Sequence, residues 1–206
     1  MAEGVIFDSL SWPSNSLARL VYAVVMACWL AFAGIAVLGK RGAALGAQRR
    51  DRKSLVGMLL QGAAYAICFG AFRARFSPIF PISKIGEATL GALTIALALV
   101  STWFCFAAAR ALGKQWALLA RVIEGHELIR RGPYAIVRNP IYLAMFGMLI
   151  ASGLAVSRWQ ALVPAIAMYL IGTAVRIHSE ETLLRAMFGA QFEDYTRHVP
   201  AFLPRL

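Results

Sequence analysis

The chain has 206 residues, of which 60% are hydrophobic and only 15% charged, and it carries a formal charge of +11. Soluble domains average about 45–50% apolar and ~25% charged residues. The apolar surplus is gathered into blocks, several without a polar face, which excludes a soluble helical core and leaves a membrane-spanning architecture.

A spanning helix needs roughly 20 mostly apolar residues. Residues 20–39 (LVYAVVMACWLAFAGIAVLG) and 54–72 (SLVGMLLQGAAYAICFGAF) carry no charge, and neither do 88–109 (ATLGALTIALALVSTWFCFAAA) and 139–157 (NPIYLAMFGMLIASGLAVS). The fifth block, 159–175 (WQALVPAIAMYLIGTAV), is short for a span, contains Pro164 and follows the fourth after Arg158, so the two form a tight hairpin. In lipid every backbone polar group must be bonded within the chain, so these blocks are helices. The fold class is an all-α integral membrane protein with about five transmembrane helices. Residues 1–109 supply helices 1–3; residues 110–206 supply a cytoplasmic loop, a helical hairpin over 139–187 and a C-terminal tail.

Five spans place the chain ends on opposite sides. With the N-terminus outside, sixteen of the 21 Lys and Arg residues fall on the inner side. The positive-inside rule therefore favours an external N-terminus and a cytoplasmic tail. Anionic inner-leaflet lipid is a sufficient partner for this charge, and no nucleic acid is needed. The first sixteen residues hold no Lys or Arg and so lack the start of a secretory signal. The block 40–53 reads as a basic connector. Cys28, Cys68 and Cys105 all fall within apolar blocks, where they pack as small apolar residues; no disulfide framework or metal site is indicated.

Polar chemistry gathers on the inner side, where all three histidines lie (His126, His178, His198). One stretch is HELIRRGPYAIVRNPIY, residues 126–142. Asn139-Pro140 fits a helix start, with Asn as cap and Pro at the first helical position, and Gly132-Pro133 marks a turn. Local signals fit two readings equally: a basic loop that sets topology, or a site. In the second, the helix start presents N–H groups and a positive dipole end to an anion, and Tyr134 lays its ring against a ligand. The other stretch is RIHSEETLLRAMFGAQFEDY, residues 176–195, which continues the fifth block as helix to about Met187. Arg176 and Glu180 stand four apart and share a face, as do Glu181 and Arg185 about 100° further round. Adjacent glutamates cannot both meet one ligand. Arg176 and Glu180, at the edge of an apolar span, are therefore assigned to a site, and Glu181 to a pair with Arg185 near solvent. After Gly189 the segment with Phe192, Tyr195, Val199, Phe202 and Leu203 either lies on the membrane surface or folds back as a lid.

Together these stretches resemble the isoprenylcysteine carboxyl methyltransferase family, which is related to the membrane phospholipid N-methyltransferases. The pattern H-x-L-(x3)-GPY-(x3)-R-x-P-x-Y stands as His126, Leu128, Gly132, Pro133, Tyr134, Arg138, Pro140 and Tyr142. The later R-x3-EE-x2-L-(x3)-FG-(x5)-Y stands as Arg176, Glu180, Glu181, Leu184, Phe188, Gly189 and Tyr195. The resemblance covers about residues 110–205. It implies S-adenosyl-L-methionine as cofactor, with His126, Glu127, Leu128, Ile129, Tyr134, Asn139, Pro140, Ile141 and Tyr142 lining it. Glu180 would touch the cofactor and Arg176 the acceptor. Where this chain has Asn139, eukaryotic members commonly have His; Asn hydrogen-bonds but takes no proton at pH 7.

The implied activity is methyl transfer to a lipophilic small-molecule or prenylated acceptor, a carboxylate favoured, entering from the bilayer while the cofactor enters from the cytosol. The short five-span form points to a bacterial inner membrane. Rival readings are a phospholipid or small-molecule N- or S-methyltransferase, an NADPH-dependent membrane reductase, and a non-catalytic membrane protein. A soluble Rossmann-type methyltransferase is excluded, because no G-x-G-x-x-G follows a strand.

Overall fold

The structure, a computed structural model, describes residues 16–42, 52–71, 83–113 and 128–204. Most of the 40–53 connector and of the loop after 72 lies outside the described residues. Six α-helices are described: α1 (Ser16–Gly42), α2 (Arg52–Gly70), α3 (Lys84–Leu112), α4 (Pro140–Val156), α5 (Trp159–Phe188) and α6 (Ala190–His198). A 3-10 turn, Gly132–Ala135, precedes α4. The all-α membrane class read from the apolar blocks is what the chain adopts.

Four helices, α1, α2, α3 and α5, are long and apolar enough to cross a membrane, and α4 is a shorter apolar helix of 17 residues. The sequence ranked the last two the other way. The fifth block is the start of a 30-residue helix that carries Pro164 in its second turn, and the fourth is the short one. At 1.5 Å per residue α4 is about 26 Å long and α5 about 45 Å, against a hydrocarbon core of about 30 Å. The C-terminal turns of α5, with Glu180, Glu181 and Arg185, therefore extend past the apolar zone. The hairpin between them is as tight as its single Arg158 required, with Ser157 closing α4 and Arg158 opening α5.

α4 is apolar on every side because it is surrounded. Met148, Ala144 and Ala151 join Val21, Val25 and Cys28 of α1 and Ala98 and Cys105 of α3 in one buried cluster. Leu149, on another side of α4, joins Ala64 and Cys68 of α2 and Ala165 and Tyr169 of α5 in a second. The three cysteines are buried free thiols within these clusters. Leu30, Leu59, Leu93, Trp103, Val163 and Ile171 point outward and stay exposed, as a lipid-facing surface requires.

Hydrogen bonds across helices fix the register of this bundle. Trp29 Nε1 donates to Ser152 Oγ at 3.0 Å, Tyr65 Oη to the Met145 carbonyl at 2.6 Å, and Tyr169 Oη to the Tyr142 carbonyl at 2.8 Å. α2 and α5 approach most closely at two facing glycines. A Cβ on Gly172 would sit 2.7 Å from the Gly57 carbonyl oxygen, and one on Gly57 would sit 2.6 Å from that of Gly172. Small residues at a helix crossing allow this backbone contact in membranes.

Gly172→Ala is expected to destabilise the protein by about 1–3 kcal/mol, the usual cost of overpacking against atoms that cannot move aside. Gly62, on the same α2, has open space at its Cβ, and Gly62→Ala should leave stability unchanged or slightly raised. Thermal unfolding of the two variants in one detergent checks the contrast.

Candidate active site

The C-terminal ends of α3 and α5, the segment 128–139 and α6 enclose a half-open cleft. Leu112, Leu128, Ile129, Tyr134, Arg138, Asn139, Glu181, Leu184, Phe192 and Tyr195 line it. The Gly-Pro turn takes its shape from Gly132, whose φ of +62° belongs to the left-handed region. The chain then closes as a 3-10 turn with Pro133 and Tyr134 buried. Gly189, at φ +50°, ends α5 and lets α6 turn back over the cleft, where Phe192 and Tyr195 are its buried face.

The walls of the cleft are joined by charge. Arg138 places both Nε (2.9 Å) and Nη2 (2.7 Å) on Glu181 Oε1. Its Nη1 reaches the carbonyls of Thr196 (3.3 Å) and Val199 (2.5 Å), and its backbone N–H donates to the Pro200 carbonyl at 2.9 Å. Asn139 Nδ2 donates to the Ala201 carbonyl at 2.9 Å, and Phe202 packs on Phe146 with ring centroids 5.7 Å apart. The segment after α6 thus folds back against the start of α4.

Two local expectations are corrected here. Asn139 stands at the cap position, but its side chain makes no capping bond. Its ψ of 60°, far from the extended value of a regular cap, turns the amide toward the returning tail instead. Glu181 does pair with Arg185, at 3.7 Å, yet it is not a solvent-side residue: its side chain is 10% exposed and its nearer partner is Arg138. Arg185 makes its shorter bond to Glu193, at 2.8 Å.

A second cluster adjoins the cleft, deeper among the helices. The Tyr142 hydroxyl donates to Glu180 Oε1. Arg176 Nη2 lies 3.4 Å from that same oxygen, and its guanidinium stands over the Tyr142 ring at 4.8 Å. Arg176 Nη1 donates to Gln61 Oε1 of α2 at 3.2 Å. Arg176 and Glu180 are therefore together, as their spacing suggested, and Tyr142 joins them. Leu128, Ile129, Tyr134 and Asn139 are together in the cleft. Pro140 is buried but is not part of the cleft wall, and Ile141 packs into the α1–α3–α4 cluster. His126 and Glu127 lie outside the described residues. Arg138, Glu181, Phe192, Tyr195 and Gln61 were not assigned to the site from sequence. The one signal in the sequence that could have found Gln61 is its place as an amide in an apolar run.

Burial, with the charge of Glu180 second, raises the Tyr134 phenol well above its ordinary value. That second cause ties the cleft wall electrically to the deeper cluster. The Tyr195 phenol is pushed up to about 12 by burial, against the pull of Arg138 and Arg130. It stays protonated and donates to the Tyr134 carbonyl at 2.5 Å.

The phospholipid methyltransferase family profile matches residues 89–191, half of the chain and the stretch that supplies all of the cleft lining but Phe192 and Tyr195. The chain belongs to the phospholipid methyltransferase family. The motif resemblance to isoprenylcysteine carboxyl methyltransferases points to the same related group of membrane methyltransferases. Among curated relatives, the chain is 35% identical over 119 residues to the nickel-cobalt-cadmium resistance protein NccN of Alcaligenes xylosoxydans xylosoxydans, covering 57% of this chain and 50% of that one. It is 33% identical over 119 residues to the cobalt-zinc-cadmium resistance protein CzcN of Cupriavidus metallidurans, covering 57% of this chain and 49% of that one. The chain spans about half the length of these relatives.

Two outcomes test the geometry. Arg138→Met, which keeps an unbranched apolar stem without the guanidinium, is expected to release the segment after α6. Limited proteolysis should then cut within residues 196–204 at least tenfold faster, the scale of losing a charge-assisted contact of ~1.5–3 kcal/mol. The raised Tyr195 value means that its protonated phenol favours the folded state. That contribution is complete below the ordinary tyrosine value of about 10 and is lost as pH rises through about 12. The difference between wild-type and Tyr195→Phe phenolate titrations should show one tyrosine ionising near pH 12.

Proposed function

We propose that this protein uses S-adenosyl-L-methionine to methylate a lipophilic acceptor, a carboxylate favoured, at the inner face of a bacterial plasma membrane with the N-terminus outside. The observation that carries this reading is the Arg176–Glu180–Tyr142 cluster, with Arg176 and Tyr142 buried, set beside a cleft whose walls come mostly from the matched family region. When bound, the cofactor supplies an activated methyl group, so the protein's task is placement and exclusion of water rather than covalent catalysis.

The residues present fit such a cofactor. Leu128, Ile129, Leu184 and the rings of Tyr134 and Phe192 offer apolar and aromatic surface to a purine. Glu180 offers a carboxylate to a cationic group next to that surface. Glu181 is engaged by Arg138 and serves as wall. The tail over the start of α4 and the Tyr195–Tyr134 bond shield the cleft from bulk water.

Arg176 is the acceptor-binding group. It is 6% exposed and sits among apolar helices, where an arginine is costly without a role or a partner. Its planar fork matches a carboxylate. A carboxylate acceptor is already ionised at pH 7, so no base is required. The outward faces of α2, α3 and α5 are apolar, which lets a lipid chain approach from the side. A second reading, N-methylation of an amine lipid as the family description suggests, is supported by Glu180, a carboxylate able to take the proton that an amine must lose. The resistance to metals in the relatives' names describes those proteins and leaves the acceptor open.

Calorimetry should show S-adenosyl-L-methionine binding to the purified protein and at least tenfold weaker binding in Glu180→Ala, since a lost contact to a charged group is worth ~1.5–3 kcal/mol. A wild type that does not bind the cofactor would sink the reading. Labelled-methyl transfer against prenylcysteine, phosphatidylethanolamine, fatty acids and small thiols identifies the acceptor. Arg176→Ala should lower kcat/KM for a carboxylate about a hundredfold; full activity would remove Arg176 from this role.

A further inference from the structure

We propose that Gln61, in the middle of α2, is a positioning residue that aims Arg176 at an acceptor carboxylate and thereby sets the class of acceptor. This rests on the methyltransferase reading above and adds to it a helix that the matched stretch, residues 89–191, does not include.

Gln61 is 2% exposed, within a run of otherwise apolar residues. A side-chain amide is costly in such a place unless both its ends are bonded. Both are. Nε2 donates to Thr173 Oγ1 at 2.8 Å and Oε1 accepts from Arg176 Nη1 at 3.2 Å. The partners dictate which way the amide faces, because a guanidinium only donates. The backbone contact at Gly57 and Gly172 lies one helical turn away. It holds Gln61, four residues after Gly57, level with Thr173 and Arg176.

The choice of a neutral partner is the telling feature. Glu180 lies 3.4 Å from Arg176, longer than the 2.7–2.9 Å of a strong charge-assisted bond, and it receives the closer Tyr142 hydroxyl. Glu180 is therefore shared between Tyr142 and Arg176. Gln61 holds the guanidinium in place through a dipole and adds no second negative charge beside it. A carboxylate at position 61 would hold it equally well and cancel it. Position 61 thus separates a site that selects anionic acceptors from one that does not.

The test uses the full chain in detergent with N-acetyl-S-farnesylcysteine as carboxylate probe and its methyl ester as the uncharged control. Wild type should bind the acid more tightly than the ester. In Gln61→Met, which keeps the side-chain length, acid affinity should fall about tenfold, with ester and S-adenosyl-L-methionine affinities unchanged within about twofold. In turnover, KM for the acid should rise more than kcat falls. Gln61→Glu should abolish the preference for the acid. Thr173→Val, which removes only the far anchor of Gln61, should give a smaller loss in the same direction and serves if the substitutions at 61 do not fold. Acid and ester affinities that stay level, or fall together, in these variants would overturn the proposal while leaving the methyltransferase reading intact. A wild type that does not distinguish acid from ester would overturn the carboxylate reading and the proposal with it, and a wild type without cofactor affinity would overturn the methyltransferase reading itself.

Discussion

The contact between Gly57 and Gly172 is the constraint on which the interior polar chemistry depends. Hydrocarbon offers no hydrogen bonds, so a buried amide, hydroxyl and guanidinium must find each other within the bundle. They do so only if two helices come close enough for short side chains to bridge. With a Cβ at either glycine the carbonyl of the facing helix blocks that approach. Gln61, Thr173 and Arg176 stand within one turn of the contact, and through Arg176 it reaches Tyr142 on α4 and Glu180.

A different force shapes the rim. Arg138 and Glu181 are 43 residues apart, both about one-tenth exposed. An ion pair this dry recovers little more than the cost of drying it. Its value is positional. One guanidinium ties the start of α4, the end of α5 and the carbonyls at 196 and 199, so three segments share a single fixed point. Tyr195 repeats the device from α6, with its hydroxyl on the Tyr134 carbonyl.

Much of this was legible in the sequence, for particular reasons. Uncharged runs announce helices in lipid without any need for a partner, so the helical blocks and the turn at Arg158 were correctly placed. Arg176 and Glu180 were legible because four residues of helix put them on one face. As spans α4 and α5 rank the other way because the fifth apolar block ends at the charge of Arg176, although the helix itself runs on to Phe188, close to the Met187 read from the sequence. Glu181 was misjudged because its nearer partner comes from another segment, and helix spacing reveals only partners on the same helix. Asn139 followed the cap rule in position but not in bonding, since the competing carbonyl of Ala201 arrives from 62 residues away. Gln61 was passed over inside an uncharged block, because only the packing of α2 on α5 gives it its partners Thr173 and Arg176.

Glu180 and Glu181 are consecutive, yet one faces Tyr142 and Arg176 and the other faces Arg138 and the cleft. A single turn of α5 therefore belongs to both compartments. A helical turn is stiff, so an axial slide or a twist of α5 displaces both carboxylates at once. The two compartments therefore share one rigid turn, and neither carboxylate can be shifted along the helix axis without the other.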